Sequence, residues 1–66
     1  MQLVINGESR SVPGVQTVAD LVRALGLERA PCAVEVNTQL VPKAGHATQA
    51  LHEGDRVEVV TLVGGG

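Results

Sequence analysis

The chain contains no phenylalanine, tryptophan or tyrosine, only one cysteine, and no long apolar run. Each absence removes a class of function. Without aromatic rings there is no platform on which unpaired bases could stack. A formal charge of −2 offers no basic footprint for a phosphate backbone, so no nucleic-acid partner is expected. The same mild acidity suits a protein partner with a basic docking surface. A lone Cys32 can form neither an intrachain disulfide nor a thiolate metal cluster. No apolar stretch approaches the roughly 20 residues that a membrane span requires. A small chain without disulfide staples or a leader segment is expected in the cytoplasm. No nucleophile–base pair, phosphate loop or metal-ligand spacing is visible, so catalysis within the chain is not expected.

What is present is a short, aliphatic, single-domain sequence. Its 66 residues leave room for one folded unit, expected over residues 1–63, with residues 64–66 forming a glycine tail. Leu3-Val4-Ile5 is β-prone, and Asn6-Gly7 is the strongest short-range signal for a hairpin, because its turn needs positive φ at both central positions. A return strand follows over residues 8–12 and ends at Pro13-Gly14. Leu3 and Ile5 are expected to face the core and Val4 to face outward.

Thr17 reads as a helix N-cap, with Asp20 three positions on. Val18, Leu21, Val22 and Leu25 make one apolar stripe, and Gly26 suits the left-handed position beyond it, with Leu27 folding back. A helix of about nine residues is too short to stand alone and must lie on a sheet. Further strands are expected over residues 33–37, 40–41 and 56–63, the last introduced by the turn Glu53-Gly54-Asp55. Residues 43–52 show no period, and Ala47, Ala50 and Leu51 are expected to anchor one irregular turn. This order predicts an α+β fold, a mixed four- to five-stranded sheet with one helix packed on one face.

If Val57 and Val59 face the helix, then Val60 and Leu62 face outward, near Val4, and make an apolar docking patch beside the tail. His46 and His52 match no metal spacing and are expected at the surface. Cys32 is expected to be a partly buried structural thiol, and Arg23, Glu28 and Arg29 the solvated face and end of the helix.

Four features coincide along the whole chain: Asn6-Gly7, Thr17-Val18-Ala19-Asp20-Leu21, Glu53-Gly54-Asp55 and the terminal Val63-Gly64-Gly65-Gly66. With Val36-Asn37-Thr38-Gln39-Leu40-Val41-Pro42, they resemble the bacterial sulfur carriers of thiamine biosynthesis, which are ubiquitin-like β-grasp proteins. The resemblance implies that the Gly66 carboxylate is adenylated by a partner enzyme using ATP, so the chain itself binds no cofactor and no metal. Sulfur from a cysteine desulfurase relay then displaces AMP, and a thiazole synthase accepts it. Gly64 and Gly65 would thread the partner's channel, since glycine has no Cβ. Three further readings stay open: a molybdopterin-synthase-type sulfur carrier, a ubiquitin-like modifier of other proteins, and a plain β-grasp interaction module.

Overall fold

The computed structural model describes residues 1–62. Five strands and one helix follow the expected order: β1 (Gln2–Ile5), β2 (Glu8–Ser11), α1 (Val18–Ala24), β3 (Cys32–Val36), β4 (Gln39–Val41) and β5 (Arg56–Thr61). The strands form one sheet in the order β2-β1-β5-β3-β4. β1 and β5 run parallel, while the other three pairings are antiparallel. The sheet is therefore mixed, as expected, and β5 is its central strand.

Alternation along the strands decides what is buried. Leu3 and Ile5 of β1, Val34 and Val36 of β3, and Val57 and Val59 of β5 all face one side of the sheet. Val18, Leu21 and Val22 of α1 close over them. Val12, Val15, Val41 and Leu51 also join this all-aliphatic core.

The helix begins where the sequence says and ends sooner. The Thr17 hydroxyl accepts the Asp20 N–H at 3.2 Å, and Asp20 in turn accepts the N–H groups of Thr17 and Gln16, completing a capping box. Leu25 is already the C-cap, so α1 has seven residues rather than about nine. Gly26 takes a φ of +75°, and the Leu27 N–H returns to the Val22 carbonyl at 2.9 Å. The short helix is held from outside. Val18 N–H donates to Gln49 O, Ala19 N–H to His46 O, and Leu51 N–H to Gln16 O.

Residues 43–52 differ most from expectation. Lys43–Gly45 forms a 3-10 turn, and Ala47 and Ala50 are exposed, leaving Leu51 as the buried anchor. His46, expected at the surface, retains only 9% of its accessible area. Its Nε2 lies 3.2 Å from the Val41 carbonyl, an interaction that fixes this ring nitrogen as the N–H donor. The burial is affordable because the ring has that partner while its own backbone carbonyl caps into α1. His52 is exposed, as expected.

Two asparagines fix the register of β5. Asn6 and Asn37 both sit in turns with φ of +50°. The Asn6 carboxamide accepts the Val59 N–H at 2.8 Å and donates to the Val59 carbonyl at 3.1 Å, extending the β1–β5 ladder past the end of β1. Asn37 exchanges two bonds with Arg56: its Oδ1 accepts Arg56 N–H at 3.0 Å, and its own N–H donates to Arg56 O at 2.7 Å. Its side-chain nitrogen reaches Asp55 at 3.1 Å.

Two predictions follow from these contacts. Asn6→Gly keeps the left-handed turn accessible and removes only the clamp. Chemical denaturation should show a loss of about 1–3 kcal/mol, with faster hydrogen exchange at the Val59 amide. An unchanged exchange rate there would exclude the clamp as a stabilising contact. The second concerns Asp20, whose carboxyl is held below its ordinary value of 3.8 first by the Gln16 N–H, then by that of Thr17, against a partial desolvation, with the Thr17 hydroxyl and Arg23 adding smaller effects. Because the folded value is the lower one, this stabilisation is present above the ordinary value and is lost as pH falls through the depressed one. Asp20→Asn should therefore flatten the acid limb of a melting-temperature profile taken downward from neutral pH.

Candidate functional site

The position where the chain leaves the sheet is set by β5 and its neighbours. Thr61 is paired with Cys32, and the next residue, Leu62, donates its N–H to the Pro31 carbonyl at 2.8 Å. Two residues before Thr61, Val59 is gripped by Asn6. The last described stretch is thus anchored on both sides. Gly64, Gly65 and Gly66, the residues singled out for tail chemistry, lie outside the described residues, as does Val63.

The three residues expected to make one docking patch are separated. Val60 is 57% exposed on the open face of the sheet, paired with Ala33. Val4 is half-buried on that face but is registered opposite Arg56, four residues earlier on β5 than Val60. Along a strand that is about 13 Å, and Glu58 stands between them. Leu62, 54% exposed, lies past the end of β5 and lines an open cavity on the helix side with Ala19, Val22, Leu27, Cys32 and His46. The alternation of β5 does not carry past Thr61, which is why Val60 and Leu62 do not form a continuous surface.

The remaining candidates fall into place around this frame. Cys32 is half-buried, packs against the core and borders that cavity, in keeping with a structural thiol. Arg23 is exposed and lies 3.5 Å from Asp20 and 3.7 Å from Glu28, the solvated helix face that was expected. His52 stands 3.8 Å from Asp55 at the surface, where the Asp55 carboxylate also accepts the His52 N–H and so shapes the turn into β5. Among the described residues no cluster of His, Cys, Asp or Glu could hold a metal ion, and no helix is long and apolar enough to cross a membrane.

One arrangement was not anticipated from the sequence. Glu35 of β3 and Glu58 of β5 are direct cross-strand partners on the open face, and Leu40 of β4 stands opposite Glu35. Alternation makes each residue outward-facing. Only the strand order and register bring them into one row.

Comparison with known proteins agrees with the fold. Residues 3–66 match the family model described as the ThiS family. The chain is 44% identical over 66 residues to a thiazole synthase of Paramagnetospirillum magneticum, covering all of this chain and 20% of that protein. It is 29% identical over 66 residues to the sulfur carrier protein ThiS of Escherichia coli, covering the whole of both. The chain spans about a fifth of the length of the thiazole synthases that it matches. The crystal structure of a thiamine biosynthesis protein, ThiS, from Geobacter metallireducens superposes with a TM-score of 0.82 at 30% identity, over the full length of both chains. A mixed five-stranded sheet with one helix, a glycine-rich end just after its central strand, and a family match that spans nearly every residue lead to one assignment: this chain belongs to the ThiS family.

Proposed function

We propose that this protein is a sulfur carrier of thiamine biosynthesis that works in the cytoplasm as a protein substrate and sulfur donor, not as a catalyst. The observation that carries this reading is the family match, which runs from residue 3 through the three glycines at 64–66. Similarity to thiazole synthases over the full chain supports a thiazole synthase as the acceptor of the sulfur.

The chemistry starts from a poor electrophile. A carboxylate repels nucleophiles and has no good leaving group. On this reading a carboxylate oxygen of Gly66 attacks the α-phosphorus of ATP in an adenylating partner, expelling pyrophosphate and leaving an acyl adenylate. A persulfide of the desulfurase relay attacks the acyl carbon and expels AMP, and a thiol then cleaves the S–S bond to leave a thiocarboxylate. The role of this chain is presentation. Glycines 64 and 65 carry no Cβ and can adopt the backbone angles of a narrow channel. Ordering such a tail costs about 1–2 kcal/mol per residue, which docking of the folded body must offset. Val60, Leu62 and Val4 offer separate apolar contacts for that docking, and exposed Leu40 offers another.

Two outcomes are expected. Intact-mass analysis of protein isolated from its host should find sulfur in place of one oxygen at Gly66; sulfur found only on Cys32, as a persulfide, would move the chemistry to the thiol. Deleting Gly66 withdraws the carboxylate by about 3.3–3.6 Å, beyond the tolerance of near-attack geometry, and Gly65→Val adds a branched side chain at constant length. Both variants should melt as the parent does and lose ATP-dependent AMP formation. Full activity of the deletion variant would leave only the interaction-module reading.

A further inference from the structure

The cavity on the helix side lies where the last strand ends. Its volume is about 420 Å³, within the roughly 300–1,000 Å³ of small-ligand sites. Val22, Leu27 and Leu62 give it apolar walls, and Ala19 and Ala47 leave room because their side chains are short. Three charged residues also reach the lining. Arg23 and Glu28 stand 3.7 Å apart and offset one another. Lys43, the only lysine of the chain, joins no ion pair among the described residues. Strand register brings this lysine close to the start of the tail. β4 and β5 flank β3 and both run antiparallel to it, so both leave the sheet at the end where β3 begins. Two strand spacings separate them, about 9–10 Å. Lys43 opens the 3-10 turn just past β4, and Leu62 is the first residue past β5. From Leu62, the four residues Val63-Gly64-Gly65-Gly66 reach up to about 13–14 Å when extended.

We propose that this cavity is an intramolecular binding site for the chain's own tail, with Val63 against Val22 and Leu27 and the Gly66 carboxylate against the Lys43 ammonium. The occupant is chosen by reach and by charge. The segment starts at a residue that already lines the cavity, carries one apolar side chain, and brings one negative charge to an otherwise offset wall. Tethering gives it an effective concentration on the order of millimolar, which the tail of a second copy does not match in dilute solution. Only Val63 and the carboxylate need be held, since the glycines between them close a short loop at small entropic cost. A thiocarboxylate has the same charge and nearly the same length, so the cavity can hold the loaded tail as well as the free one. The parking needs only a free Gly66 carboxylate; its consequence for adenylation rests on the carrier reading. A parked carboxylate is withheld from an adenylating site, and the apparent affinity falls by the fraction of tail that is free.

The test is NMR spectroscopy of the full chain, comparing the parent with Lys43→Gln and with Ala47→Leu, which fills the cavity from an exposed position. In the parent, through-space contacts should join the Val63 methyls to those of Val22 or Leu27. Both variants should lose these contacts while keeping the parent's amide shifts in the strands and its melting temperature. Added salt should move the parent's Gly66 amide in the same direction as Lys43→Gln does, because the ion pair is screened. In ATP-dependent AMP formation, the KM for the carrier should fall about two- to fivefold in Lys43→Gln, since a surface ion pair holds the tail only part of the time. A parent without the Val63 contacts, and with a Gly66 amide that ignores both salt and Lys43→Gln, would overturn the proposal. Contacts that fade on dilution would assign the cavity to the tail of a second copy and overturn it equally. A tail released in both variants without any fall in KM would overturn the withholding of the carboxylate. The contacts are read on the free protein, so a parent that is parked yet never adenylated would remove the carrier reading and leave the parking in place.

Discussion

The structure depends on how β5 is held between its two neighbours. β5 is the central strand, parallel to β1 on one side and antiparallel to β3 on the other. Its backbone pairing with β1 covers just two residue positions, too little to define a register securely. Asn6 lengthens that contact by using its carboxamide as a substitute peptide group on Val59, and Asn37 does the corresponding work at Arg56. Both residues also meet the positive-φ requirement of their turns, which asparagine tolerates better than most side chains. One residue type thus closes a hairpin and aligns the central strand. A slip of one position would turn Val57 and Val59 out of the core and Glu58 into it.

With β5 aligned, the core follows from aliphatic shape alone. Valine and leucine provide nearly all of it, so packing must come from close fit, with no large aromatic ring to span the space between helix and sheet. A seven-residue helix has little stability of its own. It persists because Thr17 and Asp20 cap one end, Gly26 closes the other, and residues 46–51 strap it through backbone bonds. His46 belongs to that strap: its ring answers the Val41 carbonyl and its backbone answers Ala19.

The two faces of the sheet then have different tasks. The helix side holds the buried core, and the open side carries exposed Leu40 and Val60 beside the opposed Glu35 and Glu58. The strand that organises both faces also delivers the chain toward Gly64-Gly65-Gly66.

Much of this was legible in the sequence. Asn6-Gly7, the Thr17 cap, the stripe Val18-Leu21-Val22 and the alternation around Val57 and Val59 each encode a local geometry through sterics or periodicity, and local geometry needs no knowledge of the partner element. The resemblance carried by those motifs led to the same family as the comparisons. Residues 43–52 were not legible, because an irregular segment has no period and the burial of His46 arises from its contacts with Val41 of β4 and with α1, which no local pattern encodes. The same holds for the open face. Alternation makes Glu35, Glu58, Leu40 and Val60 outward-facing, but whether they meet depends on strand order and register, and Val4 was expected near Val60 when pairing places it beside Arg56. The sequence by itself determined the elements, the aliphatic core and the family, since these rest on backbone sterics and hydrophobic periodicity. Only the tertiary structure decided which side chains share a surface, because neighbours across a sheet are chosen by pairing between segments far apart in the chain.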